Sequence, residues 1–131
     1  SVEGTPMDFR TEKQIGQDIR ADFEQLHFTG GYDHNYVLGR PGEKKIMANA
    51  YCRESGIALE AATDCCGVQF YAGNFIGEQT GKGGAAYHDR SAFCLESQFY
   101  PNAVNEPDFP SPVVKAGDTY HTETSYRFYL R

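Results

Sequence analysis

Four polar residues of this 131-residue chain stand where strand-like runs could put them to chemical use. Glu96 is the one charged residue of Ser91-Ala92-Phe93-Cys94-Leu95-Glu96-Ser97-Gln98-Phe99-Tyr100, and Gln98 follows it by two positions. Gln69 lies in Gly67-Val68-Gln69-Phe70-Tyr71, and Asp33 in the turn-rich Gly30-Gly31-Tyr32-Asp33-His34-Asn35. A carboxylate held between a thiol and an amide on a mostly apolar strand is expected to be partly desolvated, the setting in which a general base works near neutral pH. The plainer alternative is a solvated Glu on the outer face of an antiparallel sheet. Taken together, Asp33, Gln69, Glu96 and Gln98 form a set able to hold a polyhydroxylated ligand and remove one proton. Two carboxylates also admit a glycosidase arrangement, which depends on a spatial separation that sequence distance does not give.

Other chemistries find less support. His27, His34, His88 and His121 show no H-E-x-x-H or similar ligand spacing, so no metal is expected. There is no G-x-S-x-G, and Cys94 has no evident His partner for nucleophilic catalysis. Gly81-Lys82-Gly83-Gly84 lacks the strand-to-helix setting and the Lys-Ser/Thr ending of a phosphate loop and is read as surface loop.

The elements that would position these residues are mostly strands. Side chains alternate across a strand, so Phe93, Leu95 and Phe99 share one face while Cys94, Glu96 and Gln98 share the other. Val68 and Phe70 likewise oppose Gln69 and Tyr71, so the two runs could share a polar face. Tyr36-Val37-Leu38 reads as a short strand with Asp33 at its mouth. Lys45 to Arg53 and Ile57 to Thr63 read as a hairpin turning at Glu54-Ser55-Gly56, with a helix as the minor alternative for the Ala-rich second arm. Val113-Val114-Lys115 and the alternating Tyr120 to Leu130 read as a final hairpin. Thr11 as a cap, with Ile15, Ile19 and Phe23 at four-residue spacing, predicts one short helix over residues 12 to 24. Strands punctuated by Gly and Pro turns predict an all-β chain of antiparallel sheets, a β-sandwich or an open part of one, with this single helix.

A chain of this length fits one domain, here residues 1–131, and can bury a core without disulfide staples. The formal net charge of -6, with no basic run, argues against nucleic acid or an anionic membrane as partner. No apolar run approaches the roughly 20 residues of a membrane span, and no signal-peptide pattern is seen, so a cytoplasmic protein is expected. Cys52, Cys65, Cys66 and Cys94 include a vicinal pair but no C-x-x-C, which favours free thiols. The chain opens at Ser1 without an initiator Met and is read as a fragment. Aromatic residues make up 14%, with nine Tyr and no Trp. Such rings suit the C–H faces of sugars in a β-sandwich cleft, although β-propensity alone also places Tyr on strands.

Several motifs, in order, carry a family resemblance. Gly4-Thr5-Pro6-Met7-Asp8-Phe9-Arg10, Gly31-Tyr32-Asp33-His34-Asn35-Tyr36, Gly67-Val68-Gln69-Phe70-Tyr71-Ala72-Gly73-Asn74-Phe75, Phe93-Cys94-Leu95-Glu96-Ser97-Gln98 and Pro101-Asn102-Ala103-Val104-Asn105 resemble the aldose 1-epimerase (galactose mutarotase) family over essentially the whole chain.

The resemblance implies the C-terminal portion of a large galactose-mutarotase-like β-supersandwich, an isomerase that interconverts the α and β anomers of galactose, glucose and related aldoses without a cofactor. It implies Glu96 as the general base and Asp33 and Gln69 as contacts to sugar hydroxyls. The chain departs from the family in one respect. The family's general acid is a His in an Asn-His-x-Tyr-type motif, with a second His and an Arg also lining the site, all upstream of the matched region. None of the four His here sits in such a motif. The expectation is therefore a chain that binds a monosaccharide and supplies the base but is weak or inactive alone, with a non-catalytic carbohydrate-binding β-sandwich as the alternative. Exposed strand edges further predict self-association or association with the missing N-terminal part.

Overall fold

A computed structural model describes residues 1–131. In chain order the elements are α1 (Glu24–Thr29), β1 (Asp33–Val37), β2 (Lys45–Tyr51), β3 (Ile57–Thr63), β4 (Gly67–Tyr71), β5 (Gln79–Thr80), β6 (Ala86–Tyr87), β7 (Cys94–Gln98) and β8 (Thr124–Leu130). They form antiparallel sheets with one short helix, as the residue pattern predicts. The strand orders are β1-β4-β7, β2-β3-β8 and the two-stranded ribbon β5-β6. No helix is long and apolar enough to cross a membrane. The chain divides into two compact units, residues 1–34 with 70–94, and residues 35–69 with 95–131.

The first unit is built on a cluster of rings. Phe9 meets Tyr32 and Phe70 edge-on at 4.9 and 5.5 Å, Tyr32 stacks on Phe70 at 5.6 Å, and Phe93 closes on Phe70 at 6.3 Å. Met7, Ile19 and Leu26 are buried in the same unit. Such edge-on and offset pairs match the positive edge of one ring to the negative face of another. The helix lies later than its predicted span: residues 15–22 are turns and bends, 12–14 and 23 have no regular structure, and α1 starts at Glu24. Gly16 interrupts the run, and its first half is held by other contacts. Lys13 Nζ bonds Pro6 O and Asp18 at 2.6 and 2.9 Å and sits 4.5 Å from the Phe9 ring centre, so side-chain ties replace a helical ladder. In the β5-β6 ribbon the Tyr87 ring lies over Gly81, where an added Cβ would stand 2.1 Å from it. The glycine-rich run is thus a hairpin turn packed under an aromatic ring.

The second unit holds the β2-β3 hairpin, paired from Lys45↔Thr63 to Tyr51↔Ala58 with a register shift between Ile46 and Ala48. The predicted final hairpin does not form. Residues 113–123 are not strand, and β8 pairs with β3 in unbroken register from Ile57↔Leu130 to Thr63↔Thr124. Asp64 directs this pairing: its Oδ1 accepts the Thr122 hydroxyl at 2.6 Å and the Glu123 N–H at 2.9 Å just before β8 begins. Toward its end β8 shows Phe128 and Leu130 to solvent, 69% and 81% exposed. All four cysteines are free thiols.

Candidate functional site

In the first unit, Asp33 opens β1 and its surroundings are fixed through backbone. Gly30 ends α1 in the left-handed conformation (φ 63°). Gly31 follows at φ 141°, where a Cβ would stand 2.3 Å from Asn74 Oδ1, so only glycine passes. The buried Asn74 donates from Nδ2 to Thr29 O at 3.1 Å and Tyr32 O at 3.0 Å, fastening the helix exit to the start of β1. The Asp33 N–H then donates to His34 Nδ1 at 3.0 Å, and His34 Nε2 donates to Gln25 O at 3.1 Å. One ring nitrogen accepts and the other donates, which defines the neutral Nε2–H tautomer. Both nitrogens are engaged by backbone, so this imidazole serves to place Asp33.

Burial holds His34 below the ordinary imidazole value of 6.5, against opposing contributions from Gln25 O and Asp33. The unfolded chain therefore binds the extra proton first, and stability rises with pH across that window. The contribution is complete above about pH 6.5 and is lost as pH falls through the lowered folded value. We expect urea midpoints to drop more steeply between about pH 7.5 and about pH 5 in the wild type than in His34→Gln. Equal slopes in the two proteins would show that His34 does not carry the effect.

In the second unit, β7 is anchored from behind. Tyr126 Oη donates to Leu95 O at 2.8 Å, and Ser97 Oγ meets Thr124 Oγ1 at 2.7 Å. Thr124 Oγ1 lies in turn 3.0 Å from the hydroxyl of the fully buried Thr63. These ties hold Leu95 and Ser97 toward β8, so strand alternation turns Glu96 and Gln98 to the other face. Gln98 is half-buried there, and its Nε2 donates to Asn35 Oδ1 at 3.2 Å and reaches Gln69 Oε1 at 3.5 Å. Gln69 and Gln98 are thus brought together, as strand alternation foresaw, and Glu96 shares their strand face.

Glu96 itself is exposed, not partly desolvated as predicted. Nothing on β7 covers it: its strand neighbours on that face are Gln98, already turned to Asn35 and Gln69, and the exposed Cys94. Sequence reading missed Asn35 and Gly67 as partners of this face. Their motif positions gave a hint, since Asn35 follows Asp33 by two residues and Gly67 precedes Gln69 by two. No three His, Cys, Asp or Glu side chains gather as a metal site.

The aldose 1-epimerase family model matches residues 1–127. This chain belongs to the aldose 1-epimerase family. Galactose mutarotase of Bos taurus is 41% identical over 98% of this chain and 36% of its own length. Aldose 1-epimerase of Escherichia coli (strain K12) is 36% identical over 98% of this chain and 38% of its own. The crystal structure of a GalM/aldose epimerase homologue from C. elegans superposes with a TM-score of 0.74 at 27% identity, covering 99% of this chain and 38% of that one. The chain spans little more than a third of the length of these aldose 1-epimerase relatives.

Proposed function

We propose that this chain carries the base and part of the sugar-binding face of an aldose 1-epimerase, acting on aldohexoses such as galactose and glucose. The observation that carries the reading is the arrangement on β4 and β7, with Gln69 and Gln98 in contact and Glu96 on the same strand face as Gln98. Amides and a carboxylate on one face suit a ligand that is all hydroxyls and needs one proton removed.

In this reading Glu96 takes the proton of the C1 hydroxyl as the bond from C1 to the ring oxygen breaks, and an acid delivers a proton to the ring oxygen. The open-chain aldehyde turns about C1–C2 and recloses on its other face. Gln69 and Asp33 hold the remaining hydroxyls so that one end of the sugar rotates while the rest stays bound. His34, committed to backbone through both ring nitrogens, does not serve as the acid. In this reading the residues matched by the family form the C-terminal part of its domain and the acid comes from the rest of it; the exposure of Glu96 counts against a base desolvated by this chain alone. Self-association through the exposed end of β8, or association with that remaining part, belongs to the same proposal.

Galactose titration followed by NMR, beside polarimetry of freshly dissolved α-glucose, tests it. The expected result is saturable shifts at Gln69 and Gln98, with mutarotation only modestly above the spontaneous rate. Saturable binding with no added rotation at any protein concentration would favour the non-catalytic carbohydrate-binding alternative. No shifts and no added rotation would end the sugar reading.

A further inference from the structure

The amides of the second unit form a small network across the central strand of the β1-β4-β7 sheet. Asn35 on β1 and Gln98 on β7 come from the two strands that flank β4, which carries Gly67 and Gln69. Gln98 Nε2 reaches Asn35 Oδ1 at 3.2 Å and Gln69 Oε1 at 3.5 Å. A carboxamide nitrogen carries two hydrogens, so one Gln98 serves both acceptors. The arrangement needs a gap in β4, and Gly67 makes it. A Cβ at that position would stand 2.5 Å from Asn35 Oδ1 and 3.1 Å from Tyr100 Cδ1, so the Asn35 carboxamide occupies the space that a side chain would fill.

We propose that Gln98 is a positioning residue for sugar recognition, its forked amide fixing which end of the Gln69 carboxamide faces the ligand, with Gly67 and Asn35 holding the fork in place. The role rests on the proposal that Gln69 contacts the sugar. A carboxamide turned through half a revolution keeps its shape but exchanges donor for acceptor, and a hydroxyl-bearing ligand reads that exchange directly. With Oε1 facing the Gln98 N–H, which end of the Gln69 carboxamide is acceptor and which is donor is fixed. Gln98 is half-buried and its own strand is anchored through Leu95 O and Ser97, so the fork is held from a fixed base. Orientation of a binding group before the ligand arrives removes an ordering cost from binding.

The test uses Gln98→Met, which keeps length and removes both donors, with galactose as probe and side-chain amide NMR as a second readout. Gln98→Met is expected to weaken galactose binding about tenfold and to move the Gln69 side-chain amide resonances while the backbone amide spectrum stays folded. In a Gln69→Ala background the same change is expected to weaken binding less than about twofold, because the route through Gln69 is already gone. Gly67→Ala, which displaces Asn35, is expected to move the Gln69 amide resonances in the same direction. Equal weakening by Gln98→Met in both backgrounds, or unmoved Gln69 resonances, overturns the proposal. A wild-type chain that binds no galactose removes the sugar role and the reading it rests on together. Gln69 resonances that still respond to Gln98→Met in such a chain would show the amide fork intact and place the failure in the sugar assignment.

Discussion

Glu96→Gln is expected to bring mutarotation down to the spontaneous rate while leaving galactose affinity within about threefold of wild type. General base assistance contributes on the order of 10² to 10⁴ in rate, equivalent to about 3 to 5 kcal/mol of barrier. Gln has the size of Glu and still accepts a hydrogen bond through its oxygen, so ligand contacts survive. Its amide cannot take a proton in the relevant pH range, so the step that opens the ring loses its base. The split matters because Glu96 shares its strand face with Gln98, and a change that disturbed the face as a whole would weaken binding as well. Glu96→Asp separates position from chemistry: the carboxylate remains but is drawn back by one methylene, and the rotation added above the spontaneous rate is expected to fall most of the way to that rate. Polarimetry of α-glucose beside NMR titration of galactose reads both quantities. Turnover in Glu96→Gln equal to wild type would remove Glu96 from the chemistry.

Where neighbouring residues alone decide a structure, this sequence shows it. The run Gly67–Tyr71 is a strand with Val68 and Phe70 buried and Gln69 turned away, because alternation on a strand is a local property. The β2-β3 hairpin is equally local, its turn marked by Gly56 at φ 71°. The helix was misplaced because Ile15, Ile19 and Phe23 share a helical spacing with no helix behind it. The true α1 is six residues long, buries only Leu26, and is marked chiefly by its Gly30-Gly31 stop. β8 is recognisable as a strand but its partner is not, since β3 pairs with it from 61 to 73 residues earlier and nothing near Thr124 names it. At the site the same boundary holds. Strand alternation sends Gln69 and Gln98 to a common side, but the exposure of Glu96 and the seat of Asn35 over Gly67 depend on which surfaces the fold covers. Those surfaces are set by pairings between distant segments.

Phe70→Ala is expected to be the most damaging single truncation in the first unit, lowering stability by about 3 to 5 kcal/mol. Phe70 is 8% exposed and touches three rings, Phe9, Tyr32 and Phe93. Removing it loses the transfer energy of the ring, leaves a cavity between side chains held by other contacts, and strips each neighbour of an aromatic partner. Tyr32 cannot readily swing into the space, because its hydroxyl donates to Pro6 O at 2.9 Å. A domain of this size has roughly 5 to 15 kcal/mol in total, so the loss is a large share of it. Phe28 provides the matched control. It lies in the same unit on α1 but is 71% exposed, and Phe28→Ala is expected to change stability by less than about 0.5 kcal/mol. Urea unfolding of the two variants compares equal chemistry at opposite burial. A Phe70→Ala cost no greater than that of Phe28→Ala would mean that the ring cluster does not hold the unit together.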